Sequence, residues 1–267
     1  MRRLAIVAAV MAMAGLLGGC GDDEEDAASP TTEATDVGRG ATEEALTDYC
    51  TKTLKINTVG EPDIDFESAT PEQIKVAVQK FATDLKPLAA EVQAAAPAAI
   101  KADIDVLVAK LNTVATTGDF AAFDEGPASA SDDRVHAYEV DKCGWNKTPV
   151  TGVDYAFQGL PATLEAGPAS FEFTNGGKEG HELQLLRIND DVPQPIAELL
   201  TLPRDQAEAK VTSVGGVEPQ EPGKSDYLVA DLKPGRYAAV CFLPVGGGEE
   251  GPPHFTQGMV ASFEVKA

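Results

Sequence analysis

A set of soft metal ligands stands near the C-terminus of this 267-residue chain. An apolar run ends on Cys241, a loop rich in Gly and Pro follows, and His254 and Met259 then lead into a second apolar run. Thiolate, imidazole and thioether suit copper, and blue-copper sites combine one Cys, two His and a weak axial Met. A second histidine, His181, lies upstream in the segment NGGKEGHELQLL. These four residues are the candidate ligands of one copper ion.

The rarity of these residue types supports the assignment. The chain has three histidines and four methionines, and every methionine except Met259 lies within its first thirteen residues. Each candidate ligand taken singly is explained as well by packing, because Met is a common core filler and Cys is often buried. The four residues together favour a metal site.

The N-terminus resembles the signal of bacterial lipoproteins. A short basic start precedes an apolar run from Leu4 to Leu17, which is too short for a comfortable membrane span. The run ends in Leu-Gly-Gly-Cys20, similar to the lipobox, where cleavage before the cysteine lets lipid attach to it. We expect residues 1–19 to be a removed signal peptide and Cys20 to be lipidated, which anchors the protein to the extracytoplasmic side of the cell membrane. An ordinary signal peptide cut near the same place is the alternative.

Residues 20–42 are acidic and small, and a segment of that composition cannot bury enough apolar surface to fold. We expect it to be a disordered tether. The formal net charge of the whole chain is −22, which argues against nucleic acid or anionic lipid as partners.

Residues 43–145 show helical periodicity and predict a small bundle of about four helices. Pro87 should kink or divide the second helix. His136 has no Cys, His or Met at ligand spacing and is interpreted as structural. The predicted helices run from Thr42 to Ile56, from Thr70 (with a capping box to Gln73) to about Ala96, from Pro97 to about Gly118, and from Ser131 to Lys142.

The predicted bundle suggests how the remaining three cysteines pair. Cys50 on the first helix and Cys143 at the end of the last are natural disulfide partners in an exported, oxidising setting. Cys241 then has no partner cysteine. An idle exposed thiol is a liability in that setting, whereas a thiol held by metal is not.

The pattern changes to strands after a short link at residues 146–149. Alternating segments such as VDYAFQ, ASFEFTN and MVASFEV are separated by Gly and Pro turns, and PIAELLTL predicts a short helix among them. Residues 150–267 are therefore predicted to form an antiparallel β-sandwich. The fold class is α+β with two domains, a helical bundle followed by a sandwich.

Two segments of the second domain resemble the cupredoxins, the plastocyanin-like type 1 blue copper domains. FTNGGKEGHELQLL is similar to the strand that delivers the first imidazole, and YAAVCFLP…PHFTQGMVASFEV is similar to the last hairpin, with Cys, His and Met in that order. The resemblance implies that His181 and His254 are imidazole ligands, Cys241 the thiolate and Met259 the axial thioether. The twelve residues between Cys241 and His254 depart from the short ligand loop of the family.

The expected function is that of a membrane-anchored copper protein that carries single electrons, with a redox or copper-exchange protein as partner. A metal-free binding or scaffold lipoprotein with a degenerate cupredoxin fold is the alternative, and copper storage or delivery is a variant that uses the same ligands. An enzyme is not expected, because the sequence has neither a zinc-protease motif nor GxSxG.

Overall fold

The computed structural model describes residues 43–60, 62, 64, 68–119, 127–247 and 251–267. The expected signal peptide, Cys20 and the tether lie outside the described residues. The helices of the N-terminal part are α1 (Glu43–Asn57), α2 (Pro71–Ala95), α3 (Lys101–Thr117) and α4 (Pro127–Lys142). Among the described residues, no helix is both long and apolar enough to cross a membrane.

Helix α2 begins where the sequence predicts and ends at Ala95, one residue before the predicted end. The Thr70 hydroxyl accepts the Gln73 N–H, and the Gln73 side chain accepts the Thr70 N–H, which completes the capping box. Of the two predicted effects of Pro87, a kink or a division, the division does not occur, because Pro87 lies inside one continuous helix. Buried residues on both sides of the proline, Ala82 and Val92 among them, pack the two halves into the bundle, and this packing offsets the lost backbone hydrogen bond.

A disulfide joins the two ends of the bundle. Cys50 on α1 and Cys143 just after α4 are bonded across 93 residues. In the chain-entropy model, a closed loop of this size stabilises the fold by about 4–5 kcal/mol. Tyr49, beside Cys50, packs with Val92 and Val135 in the buried cluster next to the bridge.

The C-terminal part is a β-sandwich. Its strands are β1 (Asn146–Val153), β2 (Ala156–Gln158), β3 (Thr163–Glu165), β4 (Gly167–Asn175), β5 (His181–Ile188), β6 (Val211–Gln220), β7 (Ser225–Leu232), β8 (Gly235–Val240) and β9 (Val260–Lys266). Within the described residues they form sheet I, with the order β2-β1-β4-β7, and sheet II, with the order β3-β9-β8-β5-β6. The predicted fold class, a helical bundle followed by a sandwich, is confirmed.

Two details of the sandwich differ from the sequence predictions. The segment 146–149 is not a link but the start of β1, and the predicted strand VDYAFQ turns at Asp154 and Tyr155 to become the end of β1 and all of β2. The sheets are also mixed, because β1 pairs with β4, and β3 with β9, in parallel. Alternation and turn residues report pairing between neighbouring strands, and these two parallel pairs join strands that are distant in the chain.

The core between the sheets is aromatic and aliphatic. Phe171 and Phe173 of sheet I face Leu183, Leu185 and Tyr237 of sheet II in one buried cluster. The outer face of sheet II is also covered, because the short helices α5 (Ile196–Leu199) and α6 (Arg204–Glu208) lie in the β5–β6 connection, and α5 packs on that face. Strand β5 is therefore buried on both faces along nearly its whole length, which explains its continuous run of large side chains.

His136 joins the bundle to the sandwich. Its ring is buried and stacks on Tyr227 of β7, with ring centroids 3.3 Å apart. Its Nε2 lies 2.9 Å from a Glu172 carboxylate oxygen and 3.2 Å from the Ser170 hydroxyl, both on β4. The Tyr227 hydroxyl in turn donates to Asp132 of α4 at 2.6 Å. The histidine that the sequence analysis interprets as structural thus lies at the contact between α4 and sheet I.

A buried carboxyl in the bundle makes its stability depend on pH. Glu139 of α4 accepts hydrogen bonds from Tyr49 (2.7 Å) and Thr53, and burial raises its pKa to about 7 from the ordinary 4.5. As pH rises, the unfolded chain ionises first, so the free energy of unfolding should fall between about pH 4.5 and 7. We expect Glu139→Gln to lose this part of the decline in denaturant titrations across that range. The exposed Glu91 of α2, changed to Gln, is the control, and equal pH slopes in the wild type and the Glu139→Gln variant would contradict the prediction.

Candidate metal centre

Adjacent strands of sheet II bring the four candidate ligands to one end of the sandwich. His181 opens β5, Cys241 directly follows β8, His254 begins a 3₁₀ turn (His254–Gln257), and Met259 directly precedes β9. Because β8 pairs with both β5 and β9, these positions are neighbours in space. Each of the four residues is 0 % exposed.

The long loop between Cys241 and His254 closes as a hairpin. Pro244 and Pro253 form an antiparallel bridge, and the Val245 N–H donates to the Pro252 carbonyl at 3.0 Å. The His254 N–H donates to the Leu243 carbonyl at 2.8 Å. The backbone therefore returns His254 to the side of Cys241. Of the described residues, 245–247 and 251–252 lie beyond this bridge, so the distance between the two ligands does not depend on the length of the loop.

The structure brings three of the predicted ligands together at their donor atoms. The Nδ1 atoms of His181 and His254 are 3.1 Å apart, and the Cys241 Sγ lies 3.3 Å from the His254 Nδ1. The ligand atoms of these three residues all lie within 4.8 Å of one another. Met259 is joined to the same group through its backbone, since its N–H donates to the His254 carbonyl at 3.1 Å and its carbonyl accepts the Cys241 N–H at 3.2 Å.

Two carboxylates that the sequence analysis did not select hold the outer nitrogens of both imidazoles. The His181 Nε2 lies 2.8 Å from Asp154, in the turn between β1 and β2, and the His254 Nε2 lies 3.2 Å from Glu179, in the turn before β5. Tyr155 contacts the His254 ring edge to face, with centroids 4.9 Å apart, and its hydroxyl donates a hydrogen bond to Glu179. The chain has 43 acidic residues, and no local pattern distinguishes these two.

Both carboxylates are held in the ionised form. The backbone N–H of Lys178 and the contact with His181 lower the pKa of Asp154. The backbone N–H of Gly246 and the Tyr155 hydroxyl lower the pKa of Glu179. An ionised carboxylate only accepts hydrogen bonds, so each imidazole must carry its proton on Nε2.

When both rings are neutral, the inner nitrogens are therefore lone pairs that face each other. Burial and the neighbouring His181 lower the pKa of His254, which keeps that ring neutral near pH 7. The Cys241 thiol can donate to one Nδ1 at most, and the two Nδ1 acceptors then remain 3.1 Å apart with no second donor between them. A cation at this point would be coordinated by both Nδ1 atoms and by the sulfur. Nitrogen and sulfur donors of this kind fit a soft metal ion.

The thiol itself is protonated in the absence of a cation. Burial, and secondarily the charge of Glu182, raise the pKa of Cys241 to about 12. Glu182 is itself buried, which raises its pKa to about 7, and it accepts the Phe242 N–H at 2.8 Å. A bound metal ion reverses this balance, because a coordinating thiol is deprotonated outright.

The C-terminal part is similar to several solved structures. Neither a family model nor a curated protein matches the sequence. The C-terminal part is similar to auracyanin from Roseiflexus castenholzii (18 % identity, 46 % of this chain and 98 % of that chain, TM-score 0.33). It is also similar to auracyanin A, a "blue" copper protein from Chloroflexus aurantiacus (16 %, 45 % and 98 %, TM-score 0.30), and to rusticyanin from Thiobacillus ferrooxidans (18 %, 45 % and 78 %, TM-score 0.29). These proteins are cupredoxins.

The burial of the Cys241 thiol predicts slow reaction with thiol reagents. In the metal-free protein we expect Cys241 to resist an aromatic disulfide reagent at pH 7–8, because only the thiolate reacts and its pKa is about 12. Absorbance should report one thiol per chain after addition of denaturant and almost none before. The measurement uses the Cys20→Ser variant, in which Cys241 is the thiol that reacts. Rapid labelling of the folded protein would contradict the prediction.

Proposed function

We propose that His181, Cys241 and His254 bind one copper ion, with Met259 as a weak axial ligand, and that the protein carries single electrons outside the cytoplasm. One observation carries the proposal. Two Nδ1 lone pairs and a sulfur meet inside the protein, and each outer imidazole N–H is tied to its own carboxylate. Nitrogen and thiolate donors in this combination suit copper.

Bound copper supplies one-electron exchange between Cu(I) and Cu(II). The protein's own residues keep the donors in place for both states. Backbone hydrogen bonds link Cys241 to Met259 and Phe255, and His254 to Leu243 and Met259. Donors fixed in this way move little when an electron arrives or leaves. The complete burial of the ligands favours a retained ion, and hence electron transfer over storage or delivery.

The proposed location is the extracytoplasmic face of the cell membrane, through lipid on Cys20. The resemblance of residues 17–20 to a lipobox supports this, and so does the Cys50–Cys143 bridge, since disulfides persist in oxidising compartments. The segment 20–42 would act as the tether between the lipid and the bundle. The net charge of −22 favours a cationic redox or copper-exchange protein as the partner.

Copper titration tests the proposal. We expect Cu(II) added to the metal-free chain to bind at one ion per chain and to give the intense visible band of copper–thiolate charge transfer. Cys241→Ala should abolish the band. The matched control is His136→Ala, which removes the histidine at the α4–sheet I contact and should keep both the band and the stoichiometry.

The alternatives give different results in the same titration. A colourless protein with no stoichiometric copper would contradict the proposal and favour a metal-free scaffold. Stoichiometric copper without the thiolate band would favour storage or delivery.

Membrane attachment is tested separately. In bacterial cells we expect a labelled fatty acid to be incorporated into the wild-type protein and not into Cys20→Ser. Cys241→Ser is the control, because it removes another cysteine and leaves the lipidation site unchanged. A wild-type protein without the label, or a Cys20→Ser protein labelled to the wild-type level, would contradict lipid anchoring.

A further inference from the structure

The two carboxylates outside the imidazoles form a matched pair. Asp154 and Glu179 come from different turns, yet each meets one histidine at its outer nitrogen, at 2.8 and 3.2 Å. Their side chains are only 26 % and 28 % exposed. Two negative charges therefore lie one imidazole ring away from the point where the donor atoms converge.

Each carboxylate is fixed by further donors. Asp154 accepts the backbone N–H of Lys178 through both of its oxygens, at 3.0 and 3.2 Å. Glu179 accepts the Tyr155 hydroxyl at 3.0 Å and the backbone N–H of Gly246 at 2.7 Å. The contact with Gly246 also ties the loop after Cys241 to the turn before β5. Carboxylates held in this way cannot swing out into solvent when the charge of the site changes.

We propose that Asp154 and Glu179 are positioning residues that turn both Nδ1 atoms inward and favour Cu(II) over Cu(I), which lowers the reduction potential of the site. The inference rests on the proposed copper function. Its physical basis is charge. A Cu(II) ion with one thiolate carries a net positive charge and a Cu(I) ion with one thiolate carries none, so two nearby negative charges stabilise the oxidised form. Carboxylate partners also raise the basicity of the histidine ligands.

Gly177 shows how closely the His181 pair is packed. A Cβ added there would lie 2.4 Å from both the His181 Nε2 and an Asp154 oxygen. A side chain at position 177 would therefore separate the imidazole from its carboxylate. Only glycine leaves room for this contact.

The test removes charge and keeps shape. Asp154→Asn and Glu179→Gln retain an oxygen that can accept the imidazole N–H. Loss of such a partner typically costs roughly 10–100-fold in metal affinity. Because the lost charge acts on Cu(II) more than on Cu(I), we expect the preference for Cu(II) over Cu(I) to fall about tenfold in each variant. A tenfold change corresponds to a rise of about 59 mV in reduction potential. Affinities for both oxidation states, measured with competing chelators on the full chain in detergent, give the ratio.

Glu172→Gln is the matched control. Glu172 is also a carboxylate on a histidine Nε2, 2.9 Å from His136, but it belongs to the contact between α4 and sheet I. We expect its ratio of Cu(II) to Cu(I) affinity to equal that of the wild type. Ratios in Asp154→Asn and Glu179→Gln that match the control, in proteins that keep the blue band, would overturn the redox part of the inference and leave the copper function standing.

A second readout needs no metal. Nitrogen-15 NMR of the metal-free protein should show His181 and His254 protonated on Nε2. Asp154→Ala should shift the tautomer of His181, and Glu179→Ala that of His254. Unchanged tautomers in both variants would overturn the positioning role. Wild-type protein that binds no copper overturns the proposed function and with it the redox preference, whereas the NMR result still decides whether the carboxylates position the rings.

Discussion

The inner nitrogens of two buried imidazoles lie 3.1 Å apart beside the Cys241 thiol. When both rings are neutral, the thiol can satisfy one of the two acceptors, and a buried acceptor without a donor costs about 1–3 kcal/mol. The rings do not turn away, because Asp154 and Glu179 hold their outer nitrogens. The fold thus holds these nitrogens in an unfavourable arrangement, and a bound cation would remove its free-energy cost. The surrounding strands, hairpin and turns keep the two rings in place.

The two sheets have different roles. Sheet II supplies the ligands, because β5, β8 and β9 are neighbours and present their ends together. Sheet I carries the bundle, through Tyr227 and Glu172, and its β1–β2 turn supplies Asp154. These contacts with the bundle therefore lie on the outer side of sheet I, away from the ligand strands of sheet II. Substitutions in one region should change the other only through the shared core.

Part of this structure could be read from the sequence. Rare residue types identify the His181–Cys241–His254 group, because two of three histidines flank the single cysteine of the second domain. Helical periodicity and caps locate the bundle, and alternation locates most strands. Asp154 and Glu179 could not be found in this way, because acidic residues are abundant in this chain. Asp154 also lies within a segment whose alternating pattern predicts one continuous strand, whereas the structure has a turn there. The parallel β1–β4 pair and the unbroken helix through Pro87 depend on packing between distant segments, which local patterns do not report.

The bridge between Pro244 and Pro253 separates the length of the loop from the spacing of the ligands. Gly246 and Gly247 lie beyond it, with open space where a side chain would begin. The number of residues between Pro244 and Pro253 can therefore change while Cys241 and His254 keep their places, provided that the Gly246 contact with Glu179 is retained. Surface shape beside the metal cluster can thus diversify between related chains without a matching change in the ligand geometry.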